Sequence, residues 1–114
     1  MAELQREVER YRDMVESSLG LICTHDLDGV ILWANSAAAD LIGWRPEELV
    51  GKNIRQLLAP AVEEEFAAYL ERVERSGEDS GVMQLVTRHG AHRFWKYHNV
   101  LRRRPDEPPH VLGH

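Results

Sequence analysis

Apolar residues along this chain keep two rhythms, one helical and one extended, and the points where the rhythm changes mark the elements. Leu4, Val8, Tyr11 and Val15 are spaced four, three and four apart, with Glu3, Arg6, Glu7 and Arg10 on the remaining faces. This predicts a helix over residues 2–17 carrying a heptad-like stripe. The stripe fits a helix lying on its own domain and equally a short dimer-forming helix, since so few heptads do not separate the two. Ser17-Ser18-Leu19-Gly20 ends it. Residues 21–26 and 30–34 favour strands, the second being rich in β-branched and aromatic side chains, and Asp28-Gly29 between them suits the positive φ of a tight turn. Asn35-Ser36 then offers side-chain oxygens to cap a short helix, Ala37–Ile42, which Gly43 stops. Pro46 opens a further helical turn to Leu49. Gly51 breaks the chain again, and Asn53–Leu58 makes another turn of helix.

A long helix is predicted from Pro60 to about Arg75, with Val62, Phe66, Tyr69, Leu70 and Val73 on one face and Glu63, Glu64, Glu65, Glu71, Arg72 and Glu74 largely on the other. The glutamates of its first turn suit the helix dipole. Three strand candidates follow: Val82–His89, then His92–Arg103 after Gly90-Ala91, and finally His110–His114. Local hairpins imply an antiparallel sheet, and one apolar face per helix implies helices packed on one side of it. That is an α+β domain.

Composition narrows the function. At 114 residues the chain is long enough for one core and too short for two. Its net charge of −5 argues against binding nucleic acid through phosphate contacts. Cys23 stands alone, so no internal disulfide can form, and a reducing, cytoplasmic setting is expected. No apolar run approaches the ~20 residues that span a bilayer, and the charged start MAELQREVER lacks a signal-peptide core, so no direct membrane contact is expected. None of G-x-S-x-G, a P-loop or H-E-x-x-H occurs, and Asp26 and Asp28 are explained by turn chemistry. The domain is not expected to be an enzyme.

Five short motifs, in order, carry a resemblance. They are Asp26-Leu27-Asp28-Gly29-Val30-Ile31; Asn35 with Ala37; Gly43-Trp44; Glu48-Leu49-Val50-Gly51-Lys52; and Gly90 followed by Arg93-Phe94-Trp95. Together they resemble the PAS sensor-domain family over residues 18–114, with residues 1–17 as a flanking helix. The resemblance implies a five-stranded antiparallel sheet in the order 2-1-5-4-3, whose helical segments cap a ligand pocket. It also implies a place in a larger signalling protein, such as a sensor histidine kinase of a two-component system, or a cyclic-dinucleotide enzyme. The family's usual aspartate-centred junction after the last strand is not reached at Leu112-Gly113-His114, so the output domain is expected further along a longer parent chain.

The resemblance also directs attention to what fills the pocket. Flavin photoreceptors of the LOV type resemble Gly51–Leu58 but place a cysteine where this chain has Ile54, which argues against a flavin-cysteinyl adduct and leaves noncovalent flavin open. Haem-binding relatives take an axial histidine from the long helix, and residues 60–76 contain none; a haem held through His98 is the remaining route. The lone Cys23 excludes C-x-x-C-H attachment of c-type haem. His89 and His92 straddle a turn without a metal-ligand pattern around them, so no metal is expected. On the strand 94–101 alternation puts Trp95, Tyr97, Asn99 and Leu101 on one face and Phe94, Lys96, His98 and Val100 on the other, and neither is cleanly apolar. The resemblance favours Lys96 and His98 facing the pocket, where they would require acceptors or an anionic ligand. Trp95 and Tyr97 would then pack the stripe Leu4, Val8, Tyr11 and Val15, or a partner subunit. The opposite register puts the aromatics in the core. The remaining wall is expected from Leu41, Ile42, Leu49, Ile54, Leu57 and Leu58, from Phe66, Tyr69, Leu70 and Val73, and from Met83, Leu85 and Thr87; for most of these a core role is as good a fit as ligand contact.

The expectation is a cytoplasmic sensor domain that binds a small organic ligand of unknown identity and relays a conformational change to an output domain. The alternative is an empty module serving homodimerisation or another protein contact.

Overall fold

A computed structural model of the chain describes Arg6 and residues 20–114. The helix expected over residues 2–17, with its stripe Leu4, Val8, Tyr11 and Val15, lies outside the described residues, Arg6 apart. The elements run β1 (Cys23–His25), β2 (Ile31–Ala34), α1 (Ser36–Ile42), α2 (Pro46–Leu49), two 3₁₀ turns (Ile54–Leu57 and Pro60–Val62), α3 (Glu65–Ser76), β3 (Glu78–Val86), β4 (His92–Arg104) and β5 (Glu107–Gly113). All strand pairings are antiparallel, in the order β2-β1-β5-β4-β3. This is the expected α+β architecture.

Local chemistry explains most boundaries. In the β1–β2 turn the Asp26 carboxylate accepts from the amides of Asp28 and Val30, each at 2.9 Å. Gly29 there has φ +91°, and a Cβ on it would lie 2.6 Å from the Phe66 ring, so only glycine fits. The Asn35 side chain caps α1 by accepting from the Ala38 amide at 3.0 Å, and Gly43 ends the helix. Pro46 sits in the first turn of α2. The long helix is shorter than its apolar face suggests: Pro60–Val62 forms a separate 3₁₀ turn and α3 proper begins at Glu65.

Strand β3 differs most from expectation, running Glu78–Val86 rather than Val82–His89. Glu78-Asp79-Ser80-Gly81 has the look of a loop, but these residues pair in register with Val100, Asn99, His98 and Tyr97. Thr87, in turn, belongs to the β3–β4 turn, where its hydroxyl accepts from the amides of His89 and Ala91. Strand β5 begins earlier than expected, at Glu107. Its Pro108 and Pro109 precede the residues that pair with β1, so their missing N–H groups face no second neighbour.

The segment after α2 crosses the sheet like a strap. At one end Gly51 donates to Ile31 and Ile31 to Lys52, both at 2.8 Å, covering the free edge of β2. At the other end Ala59 donates to Gln84 at 3.0 Å, and Leu58 bridges Leu85 on the opposite edge strand. Both outer edges of the sheet are therefore partly satisfied by the same strap. Ile54, Leu57 and Leu58 face inward from it and join Ile31, Leu49, Phe66, Tyr69, Val73, Leu85 and Val111 in one core.

Candidate functional site

Residues paired across an antiparallel sheet share a face, so the ladder fixes what lines the interior. Asn99 pairs with Gly113, and Gly113 with Cys23; Leu101 pairs with Val111, and Val111 with His25. These rows, with Tyr97, Trp95, Met83 and Leu85, form the inner face. Tyr97 and Asn99 are buried and Trp95 is half-buried. The strap, α1 and α2 close over this face and leave an interior cavity of about 50 Å³. Its wall is built from Ile31, Ala34, Ala38, Ile42, Leu49, Ile54 and Leu57 on one side and from Met83, Leu85, Trp95, Tyr97 and Asn99 on the other, with Cys23, His25 and Gly113 at the β1–β5 seam. A surface groove of about 180 Å³ lies next to it, between α3 and β3, lined by Phe66, Tyr69, Arg72, Val82 and Phe94 among others. Met83 and Tyr97 line both spaces and so form the partition between them.

The polar groups of the interior are organised in a line. His25, 2% exposed, has Nδ1 2.6 Å from the Asp26 carbonyl oxygen and Nε2 2.7 Å from the Tyr69 hydroxyl. The Asn99 amide nitrogen donates to the same hydroxyl at 2.5 Å. This line ties β1, α3 and β4 together through the core. Burial pushes the His25 pKa below its ordinary value, more than the neighbouring Asp26 raises it, so the ring is neutral at physiological pH. Burial likewise raises the Tyr69 hydroxyl and the Cys23 thiol, the latter to about 12, so neither ionises near neutrality and Cys23 is a poor nucleophile.

A second polar cluster pins α3 at the groove. Arg72 contacts both carboxylate oxygens of Asp79, at 3.0 and 3.2 Å, and the Tyr97 hydroxyl donates to the same carboxylate at 2.5 Å. Burial raises the Asp79 pKa, but the hydrogen bonds from Arg72 and Tyr97 outweigh it and hold the carboxyl below its usual range.

The register of β4 is the reverse of the one the resemblance favours. Lys96 and His98 are exposed on the outer face, where His98 Nε2 lies 3.7 Å from Glu78, while Trp95 and Tyr97 point inward. The reason is the ladder: the buried row Asn99–Gly113–Cys23 fixes the phase of alternation along β4, and the charged side chains fall on the solvated side. Of the expected wall, Ile54, Met83 and Leu85 line the cavity, together with Ile42, Leu49 and Leu57. Leu58, Phe66 and Tyr69 line the groove instead. Leu41 and Leu70 are partly buried and line neither space, and Thr87 serves its turn. His25, Asn99, Cys23 and Gly113 were not expected at the site. Their residue types give no signal in the sequence, because their partners are distant along the chain.

With only ~50 Å³ inside, against the several hundred cubic ångströms of a typical cofactor pocket, the interior does not fit a flavin or a haem. Among the described residues, no group of three His, Cys, Asp or Glu side chains could hold a metal ion, and no helix is long and apolar enough to cross a membrane.

A sheet in this order, strapped over an interior cavity, is matched by the family model for the PAS fold over residues 9–113. The chain belongs to the PAS family. Among solved structures, this PAS domain is similar to the PAS domain of an HTR-like protein from Haloarcula marismortui, with a TM-score of 0.84 at 19% identity, covering 98% of this chain and 92% of that one. It is also similar to a domain of a sensory box sensor histidine kinase/response regulator from Geobacter sulfurreducens, with a TM-score of 0.72 at 23% identity over 96% and 93% of the two chains. In sequence it is 43% identical over 51 residues to the two-component sensor PprA of Pseudomonas aeruginosa, an alignment that covers 45% of this chain and 6% of the relative. The PAS domain thus spans a small fraction of the length of that curated relative. The structural likenesses show the same fold over nearly the whole chain.

Proposed function

We propose that this PAS domain senses a small molecule in its interior cavity and relays occupancy to an output domain in the same chain, as part of a signalling protein such as a sensor histidine kinase. The observation that carries the reading is the cavity itself. It is walled by the strap, α1 and α2 on one side and by the sheet on the other, and Met83 and Tyr97 line both it and the neighbouring surface groove. Core voids cost stability, so a retained one at the centre of a sensor fold is a candidate binding site. The His25–Tyr69–Asn99 line supplies a route for the response: occupancy beside Asn99 bears on β4, on β1 and on α3 together, and a ligand that prefers one arrangement of these elements shifts the population toward it. The domain itself carries no chemistry in this reading. A cytoplasmic setting is part of the proposal and fits the lone, free Cys23.

Xenon under pressure is a direct test, because it fills apolar cavities without needing a polar partner. Methyl resonances of Ile31, Leu49, Ile54 and Leu57 are expected to shift together in NMR spectra, and Ala38→Leu, which fills the cavity, is expected to abolish the response. Absence of any shift at these methyls in the unmodified chain would sink the reading.

Homodimerisation is the second reading, favoured by the outer face of the sheet. Phe94 and Val82 stand 69% and 62% exposed as diagonal neighbours there. In this reading the contact lies on the face opposite Trp95 and Tyr97. A dimer in analytical ultracentrifugation that dissociates with Phe94→Glu supports it; an unchanged sedimentation coefficient for the variant argues against it.

A further inference from the structure

Strand β3 is an outer strand of the sheet, and its free side is only partly covered. In an antiparallel ladder alternate residues turn their N–H and C=O groups toward one neighbour, and the residues between them turn the other way. Gly77 and Thr87 bond to Leu101 and Ala91 on the β4 side, so the odd-numbered positions of β3 face β4. The even-numbered positions face outward, and Gln84 accepts there from Ala59 of the strap at 3.0 Å. From Gln84 toward Glu78 no described strand pairs with this edge. Glu78, Ser80 and Val82 therefore point backbone donors and acceptors out of the sheet. Sheets commonly guard such an edge with a bulge, a proline or a lysine. Strand β3 has none of these: its pairing with β4 runs without a break in register, and Glu78 is the one charged side chain among the three open positions.

The groove of about 180 Å³ lies beside this window. Leu58, Val62 and Phe66 give it an apolar floor, and Val82 and Phe94 stand largely exposed at its rim. Of its two charged residues, Arg72 is committed to Asp79, whereas Glu65 is exposed and makes no ion pair among the described residues. Helix α3, the other wall of the groove, adds exposed Glu71 and Glu74, and exposed Glu63 and Glu64 precede it, outnumbering Arg75. The surroundings of the open edge are acidic. A second copy of the chain suits the edge poorly, because pairing β3 with β3 brings two acidic α3 helices to one seam.

We propose that the open edge of β3 captures an extended segment of a partner protein by strand addition, and that this segment alternates apolar and basic residues. Its backbone pairs with Glu78, Ser80 and Val82. Its apolar side chains settle in the groove against Leu58, Val62 and Phe66, and its basic side chains meet Glu65 and the neighbouring glutamates. Main-chain bonds supply the hold, and the groove and its charge supply the selection. This surface stands whether or not the interior cavity takes a ligand.

The test uses a synthetic peptide of about nine residues alternating valine and lysine, long enough to overhang the window. One control carries glutamate in place of lysine; the other is the lysine peptide with its backbone fully N-methylated, which cannot donate to an edge. Each is titrated into ¹⁵N-labelled protein, following amide shifts and hydrogen exchange. The lysine peptide is expected to bind about tenfold more tightly than the glutamate peptide at low salt, with the preference shrinking as salt rises. It is expected to slow exchange at the Ser80 and Val82 amides, and the N-methylated peptide is not. Val82→Pro removes an outward donor that β4 does not use, so the fold tolerates it, and it should weaken the lysine peptide about tenfold. Glu65→Lys, on an exposed position, should reduce the preference for lysine. Equal affinity for the lysine and glutamate peptides, or for the N-methylated one, overturns the proposal, as does unchanged exchange at Ser80 and Val82. If Val82→Pro does not fold, the exchange pattern of the unmodified protein decides. Protection of the same two amides that grows with protein concentration in the absence of peptide gives the edge to a second copy and overturns the partner segment.

Discussion

The two faces of β4 alternate residue by residue and could hardly differ more in how they are held. On the inner face Trp95, Tyr97 and Asn99 meet α3, the strap and the β1–β5 seam; on the outer face Phe94, Lys96 and His98 meet solvent. Hydrophobicity does not draw this distinction, since Phe94 is outside and Asn99 inside. Partnership does. Asn99 is buried with a tyrosine hydroxyl to bond, and Tyr97 with a carboxylate, whereas Phe94, beside Val82 at the rim of the groove, stays largely exposed. A side chain's place in this sheet follows from what the other elements bring to meet it more than from its own polarity.

Substitutions along β4 and its partners break the comparison in a graded way. Tyr97→Ala should cost about 3–5 kcal/mol in urea unfolding, through lost packing and the released Asp79, whereas Phe94→Ala on the adjacent position should stay within about 1 kcal/mol. Equal losses would mean that the outer face is covered in solution. Tyr69→Phe removes one oxygen and strands His25 Nε2 and the Asn99 amide together, at an expected cost of about 2–4 kcal/mol. A loss below about 1 kcal/mol would show that the line relaxes to new partners.

The next effect is in pH. His25 has a folded pKa below its unfolded value, so between the two values the unfolded chain binds more protons and stability rises with pH. Its contribution is fully present above the unfolded value of about 6.5 and is lost as pH falls below it, with a slope of up to about 1.4 kcal/mol per pH unit. Urea unfolding between pH 5 and 7 should show this slope, and His25→Gln should flatten it. The smallest effects belong to the outer face: Lys96→Ala and His98→Ala should each change stability by no more than about 0.5 kcal/mol. A larger loss from either would mean that the outer side chains carry contacts of their own.

Where local chemistry decides, the structure is readable in the residues. The Asp28-Gly29 turn, the Asn35 cap, the stop at Gly43 and the start at Pro46 each follow from a side chain acting on backbone within a few positions. The sheet order came through family likeness, because no local pattern states which strand lies beside which. The phase of β4 was not readable: Phe94 and Val100 oppose Trp95, Tyr97 and Leu101 so evenly that alternation casts no vote. The start of β3 was hidden for a similar reason. Glu78-Asp79-Ser80-Gly81 is polar because Asp79 serves Arg72 and Tyr97, and that service is visible only when α3, β3 and β4 are together. The polar line of the core has no local signature, because Tyr69 lies 44 residues from His25 and 30 from Asn99.

The last strand of the sequence lies in the middle of the sheet, between β1 and β4. Strands β3, β4 and β5 are joined in succession by short turns and can zip together locally. The join of β5 to β1 instead unites Cys23 with Gly113, almost the two ends of the described chain. Closing it carries the largest loop-closure entropy of any pairing in the sheet. This long-range seam is also where Cys23, His25, Asn99 and Gly113 meet. The cavity wall is therefore completed only when β1 and β5 have paired, so the cavity is a property of the finished sheet and of no local piece of it.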